Sequence, residues 1–570
     1  MKKYLNFKNI TKHVALGALV LIALGGCKKD DQAFDPNLSL ATESLSVSNQ
    51  ANDYSVGMVS NSPWTAESDV EWITINSASG EKGKGTIQFS VAKSTEDERT
   101  GTITVSTSGD HKKQITITQE TGLSSDLYVK EGGTGDGSSW QDATSLANAL
   151  QLIPSGSTIY IAAGTYLPTQ TVTGGNSDDN RDITFEISKY ITLKGGYPAN
   201  ATDGAVADPV NNKTLLSGKL ANGSETYHVV TVSTPKIDGQ KVVIDGLTIS
   251  HGNGFDRGSK VNINGLDFPR GNGGGMSIGN AVVEILNTDI VDNKTSGTGS
   301  TAGYSAGVFA FGGSVVTFKN SKINDNESAG NGGGLYVDRS IAYIYDSEIN
   351  RNSGGTAAGV HGYPDSEIYM YNSTVADNKG RSYGAGFYIR QNSKAVLVNC
   401  LITGNVTTAK NGGGGVMMYN NSEANIISST IVENSVAIGP GGGIFADNGV
   451  NKLNVYNSII SGNIQLDDGP DINSGSAAAL VRTVKSSVVG KQAYDQNGNE
   501  ITGATFNINT MLNASYLPIG TDNPALNNGM TGTALTALGD TFNPILEAFI
   551  SSDFNGKSRA GVTIMGALVQ

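Results

Sequence analysis

Residues 331–355 read NGGGLYVDRSIAYIYDSEINRNSGG. Glycines open a short apolar alternation at Leu335 and Val337. A second alternation runs from Ile341 to Tyr345, and a polar pair, an Ile and an Asn follow before the glycines return. The stretch has no helical face, and its period is far too long for one strand. It recurs along the chain as LNTDIVDN, KNSKINDN, YDSEINRN, YNSTVADN, VNCLITGN, ISSTIVEN and YNSIISGN, closing at Asn293, Asn326, Asn352, Asn378, Asn405, Asn434 and Asn463. Spacing within each signature is fixed, and insertions fall only between the closing Asn and the next Gly run. One turn of a solenoid with its loops on one edge behaves this way.

A propeller blade needs roughly 40 residues or more, longer than this repeat. A leucine-rich repeat needs Leu at several positions per turn, and residues 273–463 hold only five. What remains is an all-β right-handed parallel β-helix with three short strands per coil and coils ~4.8 Å apart. The closing Asn is expected at a sharp corner, because Asn tolerates left-handed backbone, with its side chain bonding from coil to coil. The Gly runs 273–275, 332–334, 412–415 and 441–443 allow positive φ or close backbone approach.

Parity along a strand then assigns faces. Ala342, Ile344, Ile368, Met370, Ala395 and Leu397 point inward, as do Leu335, Val337, Val360, Gly362, Phe387 and Ile389. Two outward sets are rich in aromatics. One holds Tyr343, Tyr345, Tyr369 and Tyr371. The other runs Phe309, Phe311, Tyr336, Asp338, His361, Tyr363, Tyr388, Arg390, Met417, Tyr419, Phe445 and Asp447. Like side chains on adjacent strands stabilise a sheet, and a loop can cover them. An exposed aromatic ladder can equally bind a polymer such as a polysaccharide, whose rings have apolar faces and polar rims. The expected binding residues are Phe309, Tyr336, Tyr388, Tyr419, Phe445, Tyr343, Tyr345, Tyr369 and Tyr371.

Asp338, His361, Tyr363 and Arg390 are the candidate catalytic group, on three consecutive coils. His361 and Tyr363 suit base and acid, and Asp338 and Arg390 lie about 10 Å apart, room for a sugar unit. A lyase of this kind often adds Ca²⁺ held by acidic side chains, whereas binding requires no cofactor. A hydrolase needs two carboxylates about 5–9.5 Å apart, and no facing acidic cluster is evident. The acidic run NSDDNRD, 176–182, reads as a solvated loop. Net charge is −13 with no basic stripe, which argues against a nucleic-acid partner.

The N-terminus carries Lys2, Lys3, Lys8 and Lys12, then an apolar run from Val14 to Leu24 and the sequence LGGC ending at Cys27. It resembles a bacterial lipoprotein signal, which implies cleavage before Cys27 and a lipid anchor there. The following KKDD, 28–31, resembles the short signal that sends Bacteroidetes lipoproteins to the outer face of the outer membrane. The other cysteine, Cys400, stands where sister repeats carry Ser or Thr, so it reads as a small buried side chain and leaves no intrachain disulfide.

Residues 39–121 alternate as short strands between turn clusters. The pattern from SPWTAESDVEWITI to KQITITQE, with Trp64, Trp72, Gly80, Arg99, Gly101 and Gln119, resembles a BACON domain, an immunoglobulin-like β-sandwich. The resemblance implies association with glycan-active proteins. Trp64 and Trp72 fit either core packing or a sugar platform, and the domain fits a spacer as well as a binder. From LYVKEGGTGDGSSWQDATSLANALQLIPSGSTIYIAAGTY, 127–166, a helix is expected from about Ser145 to Ile153, covering the open end of the coil stack. This stretch, the repeats and the terminal DFNGKSRAGVTIMGALVQ resemble choice-of-anchor Q and pectate-lyase-like β-helix proteins, apart from IMGA where an acidic residue usually precedes IGA. The expected organisation is a signal peptide over 1–26, a linker over 27–38, a sandwich over 39–121, a β-helix over 126–475, and final coils and cap over 476–570. The expected role is a surface lipoprotein that binds a polysaccharide or glycoconjugate, or another surface partner, through the aromatic-lined face of the β-helix. A polysaccharide lyase or glycosidase, and an adhesin without sugar specificity, are the alternatives.

Overall fold

The computed structural model describes residues 38–47, 51–94, 98–107, 111–119, 126–408, 412–465, 470–531, 533–535, 537–538, 551–559 and 561–568. Cys27 and the segments on either side of it lie outside these residues.

The chain is all-β: a sandwich, then a right-handed β-solenoid. In the sandwich a 4-stranded and a 5-stranded sheet close over Tyr54, Val56, Ile87, Phe89, Ile103, Val105, Ile115 and Ile117. Trp64 lies in this core at 4% exposure, against Gly80, where an added Cβ would sit 2.6 Å from the indole. Trp72 packs at its edge beneath Arg99, whose Cζ lies 4.5 Å from the ring centroid. Arg99 Nε donates to Gln119 Oε1 at 2.7 Å, and Gln119 Nε2 donates to the Ala92 carbonyl. The residues that mark the sequence pattern therefore hold the sandwich together.

Three sheets of parallel strands line the solenoid. In one coil, sheet A contributes Leu335–Asp338, sheet B Ile341–Tyr345 and sheet C Glu348–Asn350. Sheet A has 10 strands, sheet B 12 and sheet C 13, the last two of sheet C being antiparallel. The helix Leu146–Leu152 covers the first coil, capped by the Ser145 side chain, and buries Leu146 and Ala149 in the bore. The inward residues expected from parity stack in one continuous core with Ile290, Ile323, Ile349, Val375 and Ile402. Each fully buried Ile contributes roughly 1.5–3 kcal/mol, so the bore is the principal source of stability.

The closing Asn forms the coil-to-coil ladder. Asn352 receives bonds from Asn326 at 3.0 Å and passes them to Asn378 at 2.9 and 3.0 Å, and the chain of amides runs from Asn293 to Asn463 before ending on Asp471. Its expected left-handed backbone is corrected. The positive φ falls one residue earlier, at Asp292, Asp325, Arg351, Asp377, Gly404, Glu433 and Gly462, and again at the first member of each polar pair, such as Asn372 with φ 47°. The turn residue points its side chain to solvent, which leaves the following Asn free to point inward. The second member of the pair makes a parallel Ser ladder, in which Cys400 takes one rung, fully buried. Gly334 shows why a bare backbone follows the ladder: a Cβ there would lie 2.9 Å from the Gly359 carbonyl and 3.0 Å from Asn352 Nδ2.

The acidic run 176–182 is also corrected. Asp182 is 4% exposed and takes Arg270 Nε and Nη2 at 2.7 and 2.5 Å, so this loop is clamped to the solenoid rather than solvated throughout.

Candidate functional site

The outward face of sheet A carries two columns. The first is Phe309, Tyr336, His361, Tyr388, Met417 and Phe445, each in register with the next. His361 stacks on Tyr336 at 4.4 Å and on Tyr388 at 5.2 Å. An open platform here is corrected: Phe309, Tyr336, Tyr388 and Phe445 are 2–6% exposed, and His361 has no exposed surface. The cover is made by chain inserted between coils. The hairpin Lys260–Ile263 and Leu266–Pro269 lays Val261, Ile263 and Phe268 over Phe309 and Phe311, while Tyr304 meets Tyr336 and Tyr383 stacks on Tyr388 at 5.6 Å. The hairpin had a readable signal, an alternation interrupted by Asn264–Gly265, both with positive φ.

The second column lies two residues further along the strands; Phe311 at its start is buried under the hairpin, and from Asp338 onward it stays partly exposed. Phe311 pairs with Asp338, Arg390 with Tyr419, and Tyr419 with Asp447. Tyr363 follows Gly362, which is in register with Val337 and Ile389, and so falls between Asp338 and Arg390. The result is a strip of carboxylate, phenol, guanidinium, phenol and carboxylate. Asp338, Tyr363, Arg390, Tyr419 and Asp447 are all intermediate in exposure.

The electrostatics of this strip follow from burial. Asp338 is pushed up to about 6 by desolvation, which outweighs Arg339. Arg339 Nη2 comes within 2.8 Å of Asp338 Oδ1 but outside hydrogen-bonding angle, and its own side chain is 60% exposed, so the pair is weak. Arg390 lies flat on Tyr363, with Cζ 3.7 Å from the ring centroid. Burial draws Arg390 down, but the hydrogen-bonded Tyr388 side chain more than offsets it and holds the guanidinium above its ordinary value; no carboxylate is ion-paired with it, and its Nε reaches no acceptor, among the described residues. Burial, then the Arg390 charge, holds the His361 imidazole well below its usual range, and neither ring nitrogen has a partner among the described residues.

The four residues expected to act together are thus divided. Asp338, Tyr363 and Arg390 share the strip, while His361 sits behind it between two phenol rings, where no substrate atom can touch it. The strip's own carboxylates, Asp338 and Asp447, are four coils or about 19 Å apart, beyond the roughly 5–9.5 Å of a glycosidase pair. No group of three or more metal-ligating side chains occurs among the described residues.

The tyrosines of sheet B form a separate array. Tyr343 stacks on Tyr369 at 5.2 Å and Tyr345 on Tyr371 at 5.1 Å. Tyr369 and Tyr371 are buried in a cluster with Leu535, with Met530 and Leu538 packed against it, and only Tyr343 and Tyr345 keep partial exposure. An exposed row of four is therefore corrected to a half-exposed pair.

These features define a solenoid with one partly open aromatic and charged strip, preceded by a sandwich. Residues 62–120 match the family model BACON: Putative binding domain, N-terminal, and residues 306–506 match the right handed beta helix region. The chain thus carries a BACON domain and a right-handed β-helix. No curated protein matches it. Among solved structures it is similar to the Bacteroides ovatus GH5 xyloglucanase in complex with a XXXG heptasaccharide, at 16% identity and a TM-score of 0.17. That match covers 37% of this chain and 46% of the other, so less than half of the xyloglucanase is spanned. It is also similar to pectate lyase Pel9A, at 14% identity over 64% of this chain and 82% of that one, with a TM-score of 0.27. The Yersinia enterocolitica Family 28 exopolygalacturonase matches at 9% identity over 78% and 97%, with a TM-score of 0.23.

Proposed function

We propose that this protein binds a glycan along the strip Asp338, Tyr363, Arg390, Tyr419 and Asp447 and does not cleave it. The observation that carries this reading is the in-register alternation of ring and charge on a part of sheet A that its loops leave open. Sugar rings stack their apolar faces on phenols and present hydroxyls to flanking carboxylate and guanidinium groups. Steps of ~4.8 Å repeat the same surface along a polymer. The buried His361 supports binding over turnover, because a general base must come within hydrogen-bonding reach of the proton it takes.

The test is a panel of soluble polysaccharides scored for retention and for new unsaturated or reducing ends. Retention without new ends is expected. Tyr363→Ala and Tyr419→Ala should each weaken it by roughly tenfold, the effect of losing one stacking contact. New ends from the wild-type chain would overturn the reading in favour of a lyase or hydrolase, and no retention at all would favour an adhesin without sugar specificity. The same proposal places the protein at the cell surface on a lipid at Cys27, supported by the basic, apolar and LGGC segments before it. Cys27→Ala should move it from the membrane fraction to the soluble one.

A further inference from the structure

We infer that the strip takes a glycan with isolated carboxylates on an otherwise neutral chain, and disfavours a homopolyuronate. This rests on the binding reading above and names its ligand class. The first part follows from Arg390. A guanidinium offers several donors in a planar fork suited to a carboxylate. Here it lies against Tyr363 and is bonded to the Tyr388 side chain, both neutral partners, with no ion-paired carboxylate and with Nε lacking an acceptor among the described residues. A half-buried cation bonded only to neutral partners still lacks a counter-ion, and a ligand carboxylate arriving between Tyr363 and Tyr419 would supply one.

The second part follows from the neighbours of Arg390. Asp338 stands two coils to one side and Asp447 two coils to the other, about 10 Å in each direction. A polyuronate carries a carboxylate on every unit. With one seated on Arg390, others along the chain would pass Asp338 and Asp447, and like charges brought together at an interface are strongly repelled. Arg339 cannot offset this, because it is mostly exposed and held only loosely at Asp338. Sparse carboxylates avoid the clash, and the neutral sugars between them still pack on Tyr419 and on the side of Tyr363 that Arg390 leaves open.

The full chain is titrated calorimetrically with glucuronoxylan, which bears uronate on a minority of its units, with the same polymer after carboxyl reduction, and with polygalacturonate. Glucuronoxylan should bind at least about tenfold more tightly than either of the others, the effect of one charge-assisted contact. Arg390→Gln should erase its advantage over the reduced polymer. Asp338→Asn combined with Asp447→Asn should raise affinity for polygalacturonate. Equal affinity for the native and reduced polymers, or polygalacturonate binding as tightly as glucuronoxylan, would overturn this inference while leaving glycan binding intact. If all three polymers bind no better to the wild type than to Tyr363→Ala, the binding reading itself falls, and this inference with it.

Discussion

His361 occupies a column that otherwise holds aromatic and apolar side chains, and it behaves as one more ring. Its two nitrogens have no partner among the described residues and its imidazole is held neutral by burial. The pH consequence has a definite sign. A folded-state value below the ordinary one of about 6.5 means that the unfolded chain takes up the proton first as pH falls. Stability is therefore complete above about 6.5 and is lost as pH drops below it. His228, pushed down to about 4 by burial, adds a loss of the same sign between about 6.5 and 4. Asp338, raised to about 6, opposes both by gaining stability as pH falls from about 6 to 3.8. His361→Phe removes one term only. At neutral pH it should shift stability by less than about 1.5 kcal/mol, because a ring replaces a ring. Below pH 6.5 its pH slope should be shallower by up to about 1.4 kcal/mol per unit. Urea midpoints for both proteins at pH 5 and pH 7 measure this, and identical slopes would refute it.

At the scale of the element, the Asn ladder explains why so varied a sequence keeps such rigid internal spacing. Asn378 Oδ1 accepts from the amide and side chain of Asn352, while its Nδ2 donates to the Ile349 carbonyl and to Asn405 Oδ1. Asn378→Ala leaves buried donors and an acceptor unpaired, a cost on the order of 3–5 kcal/mol. Asn372→Ala alters the left-handed corner six residues earlier in the same coil, together with its more exposed bonds to Asp346 and Asn399, and should cost about 1–2 kcal/mol. Comparable losses in denaturant midpoint for the two would show that the buried ladder adds nothing beyond what the outer corner and its amide bonds supply. This contrast also marks what the sequence could reveal. Parity and the six-residue spacing are local properties, so the bore and the register of Tyr336, His361 and Tyr388 could be read from them. Which residue of the corner carries positive φ could not, because Asp292 and Asn293 both tolerate it, and only the inward path of the Asn side chain decides between them. The cover over sheet A was hidden for a different reason. Val261, Ile263 and Phe268 belong to an insertion whose burial is against residues some 40 positions later, and no periodicity links the two. The open strip was therefore visible as a set of residues but not as the surviving half of a two-column face.

Across the whole molecule, residues 551–559 and 561–568 turn back over the last parallel coils instead of extending the stack. Arg559 is the pin. It is 2% exposed and donates to the carbonyls of Ser552, Ile564, Gly566 and Ala567 and to Asn399 Oδ1 on the corner between sheets B and C. Burial draws it down to about 10, still far above neutral, so it remains charged. Met565 is fully buried in a cluster with Val432, Ile459 and Val488, an apolar contact that seats the segment on the solenoid. A solenoid's coils are stabilised mainly by their neighbours, so loss of this contact should act locally first. Arg559→Met keeps the apolar stem but strands several carbonyls, and a loss of about 2–4 kcal/mol is expected. Arg559→Lys should recover only part of it, since a point charge cannot reach acceptors arranged around a planar fork. Limited proteolysis separates the outcomes: the methionine variant should be cut within 551–568 while the coils from 276 to 461 resist. Simultaneous cutting throughout the solenoid would mean that the C-terminal segment is integral to every coil, and an unchanged digest would mean that Arg559 does not hold it in place.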